Sequence, residues 1–206
     1  NQFTTMDGAR VPLFPGVFAI FGHGNVTCLA EALEAVKDIL PTWRGQNEQS
    51  MALAAIGFAK AKRRRQIMVA TSSIGPGALN MITAAGVAHT NRLPILILSG
   101  DTFVNRRPDP VMQQVEHYGD PTINVNDAFK AVTRYWDRIV HPEQIISSLP
   151  QAVATVTLNP ARAVGAPKIE RHLPGHLDRR QVDALLAAAA TRAQEGRFTD
   201  VRDLAI

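Results

Sequence analysis

The sequence predicts an α/β fold: a doubly wound, mainly parallel sheet of five or six strands flanked by helices. Three observations carry that expectation. Continuous apolar runs of strand length, Val17 to Phe21, Ile67 to Ala70 and Pro94 to Leu98, have the character of parallel strands covered on both faces. Helix-length segments rich in small residues alternate with these runs, and that order requires parallel pairing with right-handed crossovers. Glycine-rich turns follow the strands, at the carboxyl edge where open α/β sheets meet their ligands. With 206 residues, 46% hydrophobic and 19% charged, the chain suits one domain of good size plus an extension.

Val17 to Phe21 is the first strand. Gly22-His-Gly-Asn25 turns the chain into a helix expected from about 26 to 39, and a short strand near 41 to 45 follows. From Glu48 onward, Met51, Ala52, Ala55, Ile56 and Ala59 recur at helical spacing. This predicts a helix over 47–62 with Glu48 in its first turn, where the helix dipole favours a carboxylate. The small residues Ala52, Ala54, Ala55, Gly57 and Ala59 keep that helix thin and suit a close approach to another backbone, its own sheet or a second subunit. Ile67 to Thr71 is the third strand. Thr71-Ser-Ser-Ile-Gly-Pro-Gly77 leaves it into a helix from Pro76, proline being well tolerated at the first helical position, to about His89. Strand, glycine-rich turn and helix N-terminus in that order present free backbone N–H groups to a ligand.

Pro94 to Ser99 is the fourth strand, and the proline-interrupted stretch Arg106-Arg-Pro-Asp-Pro110 beyond it reads as a loop. A short strand is expected within 129–140, then a helix from Pro142 to about Thr157 kinked at Pro150. His23, between two glycines at the ligand edge, either faces the site or is solvated. Gln113, Gln114 and His117 follow the proline-rich loop and admit the same two readings, substrate-facing or surface polar.

An Asn-Glu-Gln opening a small-residue helix, followed by Thr-Ser-x-x-Gly-Pro-Gly-x-x-Asn, resembles the pyrimidine-binding (PYR) domain of thiamine-diphosphate enzymes. Within them the chain is similar to the trihydroxycyclohexanedione hydrolases of myo-inositol catabolism. The matching residues are Phe18-Ala-Ile-Phe-Gly-His-Gly-Asn25, Gly45-Gln-Asn-Glu-Gln49, Ala70-Thr-Ser-Ser-Ile-Gly-Pro-Gly-Ala-Leu-Asn80, Asn91-Arg-Leu-Pro94, Pro108-Asp-Pro-Val-Met-Gln-Gln114, Tyr135-Trp-Asp-Arg138 and Pro142-Glu-Gln144. The likeness extends over roughly residues 1–160.

The resemblance implies that Glu48 is the buried carboxyl that hydrogen-bonds N1′ of the aminopyrimidine and favours its imino tautomer, whose 4′ nitrogen removes the thiazolium C2 proton. Burial would raise its pKa and let it share a proton with the ring at neutral pH. Ser73, Gly75, Pro76, Gly77 and Asn80, with Glu48, are the implied cofactor-binding residues, and His23, Gln113, Gln114 and His117 the implied contacts of a small cyclic diketone. A homodimer or tetramer through the PYR-domain helices is implied as well. Two other readings remain: a PYR domain of the acetolactate-synthase or 2-oxoacid-decarboxylase type, against which the Phe-Gly-His-Gly-Asn and Gln-Asn-Glu-Gln spellings weigh, and a non-catalytic dimerising domain.

Charge and cysteine content narrow the classes further. The formal net charge of +4 invites a nucleic-acid reading, but the one dense cluster, Lys60 to Arg65, lies where a helix ends, and no aromatic residues alternate with it. It reads as a solvated helix terminus. The single cysteine, Cys28, excludes an internal disulfide and a thiolate metal site, and reads as a small core residue. No apolar run approaches the roughly 20 residues that cross a bilayer, and no secretory pattern opens the chain, so a cytoplasmic protein without nucleic-acid or membrane partners is expected.

The boundary between the PYR domain, residues 1–163, and a C-terminal extension, 164–206, is set by a change of composition. Pro167, Pro174, Gly175 and several basic residues suggest a linker, and Asp178 to Gln194 an Ala-rich amphipathic helix with Asp178 as its N-cap. No Gly-Asp-Gly magnesium-diphosphate motif occurs. By the resemblance, magnesium and the diphosphate then belong to a missing diphosphate-binding domain, in cis or in trans. The absence of an initiator Met and of the helix expected before Asn1 gives the same impression of a truncated or decayed copy.

Overall fold

The computed structural model describes residues 2–102, 104, 113, 115, 119, 120 and 123–157. The Arg106–Pro110 loop, Gln114, His117 and the expected C-terminal linker and helix lie outside the described residues. The chain begins with an antiparallel hairpin of Phe3–Met6 (β1) and Ala9–Pro12 (β2), which apolar runs do not announce. Its signal is Asp7-Gly8, whose φ values of 50° and 83° form the left-handed pair that a tight hairpin turn requires. Leu13, just beyond, is buried with Ile67 and Val153.

Val17–Ile20 (β3), Thr42–Arg44 (β4), Val69–Ser72 (β5) and Leu96–Ser99 (β6) form one parallel sheet in the order β4-β3-β5-β6. The first three expected strands and the fourth are present; the fifth is not. Within 129–140 the structure has instead a 3₁₀ helix over Val125–Ala131, followed by irregular chain. Asn124 and Asp127 form a capping box at its start. Phe129 is buried and Val132 packs beside it, on a helical spacing that strand alternation does not allow. The sheet therefore has four strands among the described residues.

Helices cover both faces, as doubly wound packing demands. The short Gly22–Asn25 (α1) and Leu29–Ala35 (α2) precede Glu48–Ala61 (α3), Pro76–Asn80 (α4) and Ile82–Asn91 (α5); α3 to α5 lie on one side of the sheet and α2 on the other. The helix expected over 26–39 is thus split: one turn forms already at Gly22–Asn25, and α2 starts only after Cys28, which offers no side-chain cap. Cys28 is exposed, not a core residue.

The thinness of α3 has a cause within the chain. Ala52, together with Met51 and Ile56, packs with Ala84, Ala85 and Ala88 of α5 and Ala70 of β5 in one buried cluster, while Ala54 and Gly57 remain exposed. On the other face Val17, Ala19, Val69 and Leu96 pack with Leu33 of α2. The last helix, Ile145–Thr157 (α6), carries Pro150 inside it and follows a 3₁₀ turn at Pro142–Gln144. Among the described residues no helix is long and apolar enough to cross a membrane.

Candidate functional site

The carboxyl ends of β3 and β5, which pair along Val17–Ile20 and Val69–Ser72, bring two turns side by side. Glu48 reaches them from the start of α3. The Asn47 side chain caps that helix by accepting the Ser50 amide at 2.9 Å, which makes Glu48 its first residue. Glu48 is half-buried in the chain by itself, less shielded than the resemblance implies. Its Oε2 accepts a hydrogen bond from Asn80 Nδ2 at 2.9 Å. Among the described residues nothing donates to Oε1.

That free oxygen lies beside the turn. A Cβ added at Gly77 would stand 3.2 Å from Glu48 Oε1 and 2.6 Å from Ser73 Oγ, so only a bare Cα fits between carboxylate and hydroxyl. Ser73 is buried, and a Cβ at Gly22 would come within 2.9 Å of the same hydroxyl. Gly75 has φ +62°, a conformation that strains a side chain, and a Cβ there would overlap the carbonyl oxygen of Gln113. The turn thus has two uses for its glycines: Gly77 opens space at Glu48, and Gly75 admits the main chain of Gln113. Pro76 occupies the first helical position of α4, as the sequence predicts, and is exposed.

The structure brings together Glu48, Ser73, Gly75, Gly77 and Asn80, with Pro76 on the outer side. Gln113 joins them, with its Oε1 3.4 Å from where a Gly22 Cβ would be. His23 is exposed on α1 at the same sheet edge. Gln114 and His117 lie outside the described residues. No cluster of three or more metal-ligating side chains occurs among the described residues.

Just past the end of β6 sits a polar cluster that apolar patterning does not reveal. Arg138 donates through Nε to Asp101 Oδ2 at 3.0 Å and through a terminal nitrogen to Asp127 Oδ1 at 3.1 Å. Lys130 reaches the same Asp127 oxygen at 2.9 Å, and both cations lie over the Trp136 ring, at 4.4 Å for Lys130 and 4.9 Å for Arg138. Burial pushes the Asp127 carboxyl up, but the Lys130 and Asn124 hydrogen bonds and the charges of Arg138 and Lys130 outweigh it and hold it below its ordinary value. The hydrogen bond from the Ser148 hydroxyl, against burial, holds Asp137 down too, helped by the Arg138 amide and the Tyr135 hydroxyl. The Tyr135-Trp-Asp-Arg138 spelling was the available signal for this cluster.

Comparison with known proteins agrees with this geometry. Residues 16–123, more than half of the chain, match the family described as the thiamine pyrophosphate enzyme, N-terminal TPP binding domain. Over 161 residues, 78% of the chain, it is 53% identical to a 3D-(3,5/4)-trihydroxycyclohexane-1,2-dione hydrolase of Geobacillus thermodenitrificans, covering 25% of that protein. Proteins of the same name from Bacillus cereus and Bacillus thuringiensis are each 51% identical over the same share. The chain spans about a quarter of the length of the curated relatives it matches. With the glycine-lined turn standing against a helix-start glutamate, the chain belongs to the thiamine pyrophosphate enzymes, as their N-terminal, pyrimidine-binding domain.

Proposed function

We propose that this chain is the pyrimidine-binding part of a thiamine-diphosphate-dependent hydrolase that opens the ring of trihydroxycyclohexane-1,2-dione in inositol catabolism. The observation that carries the reading is Glu48, with one carboxylate oxygen held by Asn80 and the other facing the bare Cα of Gly77. The residues fit the pyrimidine half of the cofactor: a flat ring needs a wall without side chains, which Gly77 supplies, and a carboxyl at its edge.

When bound, thiamine diphosphate supplies an electron sink for a breaking carbon–carbon bond. Glu48 is disposed to share a proton with N1′ of the ring, and Asn80 fixes its rotamer by holding Oε2. Ser73, Gly75, Pro76 and Gly77 shape the wall beside it. His23, Gln113, Gln114 and His117 are the proposed contacts of the cyclic diketone. Residues 1–163 constitute the domain, and 164–206 a linker and the opening of a further one. Magnesium and the diphosphate group belong to a diphosphate-binding domain, in cis or trans. The assembly is a cytoplasmic dimer or tetramer formed through α3, α4 and α5, whose outer residues Leu53, Leu79 and Val87 are exposed.

Glu48→Gln in the assembled enzyme tests the reading. The amide keeps the shape but cannot share the proton, so turnover should fall by about 10³-fold or more with the thermal midpoint unchanged. Exchange of the cofactor's C2 proton for deuterium, followed by NMR, should slow in proportion. Exchange at the wild-type rate removes Glu48 from this role.

A further inference from the structure

The carbonyl oxygen of Ser72 ties together the ends of β3, β5 and β6. Asn25 Nδ2, at the end of α1, donates to it at 2.7 Å, and the N–H of Gly100, just past β6, donates to it at 3.2 Å. Both lone pairs of a buried carbonyl are thereby used. Ser72 closes β5, and the next residue, Ser73, opens the turn that faces Glu48. Close packing holds the tie in place: a Cβ at Gly100 would stand 2.7 Å from Ile74 Cγ2, 3.0 Å from Ile74 N and 3.2 Å from Asn25 Nδ2. Gly100 is braced in turn, because its carbonyl accepts from Asn126 Nδ2 at 2.8 Å, and Asn126, itself buried, accepts at its own carbonyl from Trp136 Nε1 at 3.0 Å.

Asn25 has no capping duty that would account for it, since α1 ends on Val26 as its C-cap. The geometry points to Asn25 as a positioning residue for the cofactor: its side-chain amide, sharing the Ser72 carbonyl with Gly100, sets the Ser73–Gly77 turn against Glu48. It governs how well the ring is held rather than the proton sharing of Glu48. This rests on the reading of the site as a thiamine-diphosphate site. Removing the donor leaves a buried acceptor short of a partner and releases the turn from the β3 edge.

The test uses the holoenzyme with Asn25→Asp, which keeps the shape but sets an acceptor against an acceptor, and Asn25→Leu, which removes the amide without adding a charge. Fluorescence titration with thiamine diphosphate and magnesium gives cofactor Kd, steady-state kinetics give kcat at saturating cofactor, and calorimetry gives the midpoint of the apoprotein. Both variants should bind cofactor about tenfold more weakly, because the Ser73–Gly77 turn is no longer held in its binding position. Saturated kcat should stay within about threefold, and the apo midpoint should fall by no more than a few degrees, the cost of one unsatisfied buried acceptor. Should Asn25→Asp fail to fold, Asn25→Leu decides. Unchanged Kd in a variant beside a wild type that binds, or a Kd change matched by a collapse of the apo midpoint, overturns the positioning role and leaves the cofactor reading standing. A wild-type holoenzyme that binds no thiamine diphosphate overturns both.

Discussion

Glu48 and Asp127 are both carboxylates in the first turn of a helix, both partly shielded from water, and they differ in how completely they are satisfied. Asp127 receives Arg138 and Lys130 on one oxygen and the Asn124 amide on the other, at 3.1, 2.9 and 2.8 Å. Among the described residues Glu48 receives one side-chain amide on Oε2, and Oε1 is left open toward Gly77. A saturated carboxylate has nothing left to offer a ligand, so Asp127 is fastening. An unsaturated one beside a bare Cα keeps an acceptor, and a site for a proton, in reserve.

The sharpest test of the contrast after Glu48→Gln is Gly77→Val. A branched side chain overlaps the buried Ser73 Oγ and crowds Glu48 Oε1, so the apoprotein should lose stability and, in the protein that still folds, cofactor affinity should fall by at least about tenfold. A large stability loss with affinity unchanged would make this turn scaffold and erase the difference between the two carboxylates.

On the saturated side, Arg138→Met leaves Asp101 and Asp127 without their shared cation. The groups are 27% and 24% exposed, so solvent screening limits the cost to about 1–2 kcal/mol, read from urea unfolding. Acid offers a second reading of the same cluster. Because the folded Asp127 carboxyl titrates below its ordinary value of 3.8, its contribution is fully present above that value and disappears as pH falls through the lower, folded one. The stability gap between wild type and Asp127→Asn should therefore be constant at neutral pH and close below about pH 4.

The smallest effect should come from a backbone position that bonds to neither carboxylate. Arg92, the C-cap of α5, holds φ 55°, a left-handed conformation that glycine adopts without strain. Arg92→Gly should raise unfolding free energy by about 0.5–1 kcal/mol in denaturant titration and leave cofactor affinity alone.

The parallel sheet was legible because β3, β5 and β6 are apolar runs bounded by glycine or proline, and α3 because its buried residues keep helical spacing. Glu48, Ser73, Gly77 and Asn80 were legible as a motif, and the contact of Asn80 with Glu48 follows from helices α3 and α4 packing side by side. The fifth strand failed because residues 125–138 are organised by polar contacts: a capping box, an indole hydrogen bond and a guanidinium between carboxylates. The capping box is local, but the indole and guanidinium contacts join residues 10, 11 and 37 positions apart and have no period to read. Asn25 escaped for the same reason, its partner lying 47 positions away.

Gly75 and Gly77 stand in one turn, yet they differ in what could be repaired after a change. The obstacle beside Gly77 is made of side-chain atoms, the Ser73 hydroxyl and the Glu48 carboxylate, so shortening Ser73 to glycine could make room for a newcomer. The obstacle above Gly75 is the peptide carbonyl of Gln113, an atom every amino acid carries. Exchanging the Gln113 side chain does not remove it. A lineage drifting through sequence space can thus lose and recover the wall next to Glu48 by trimming a side chain, whereas a change at Gly75 requires the main chain at Gln113 to move.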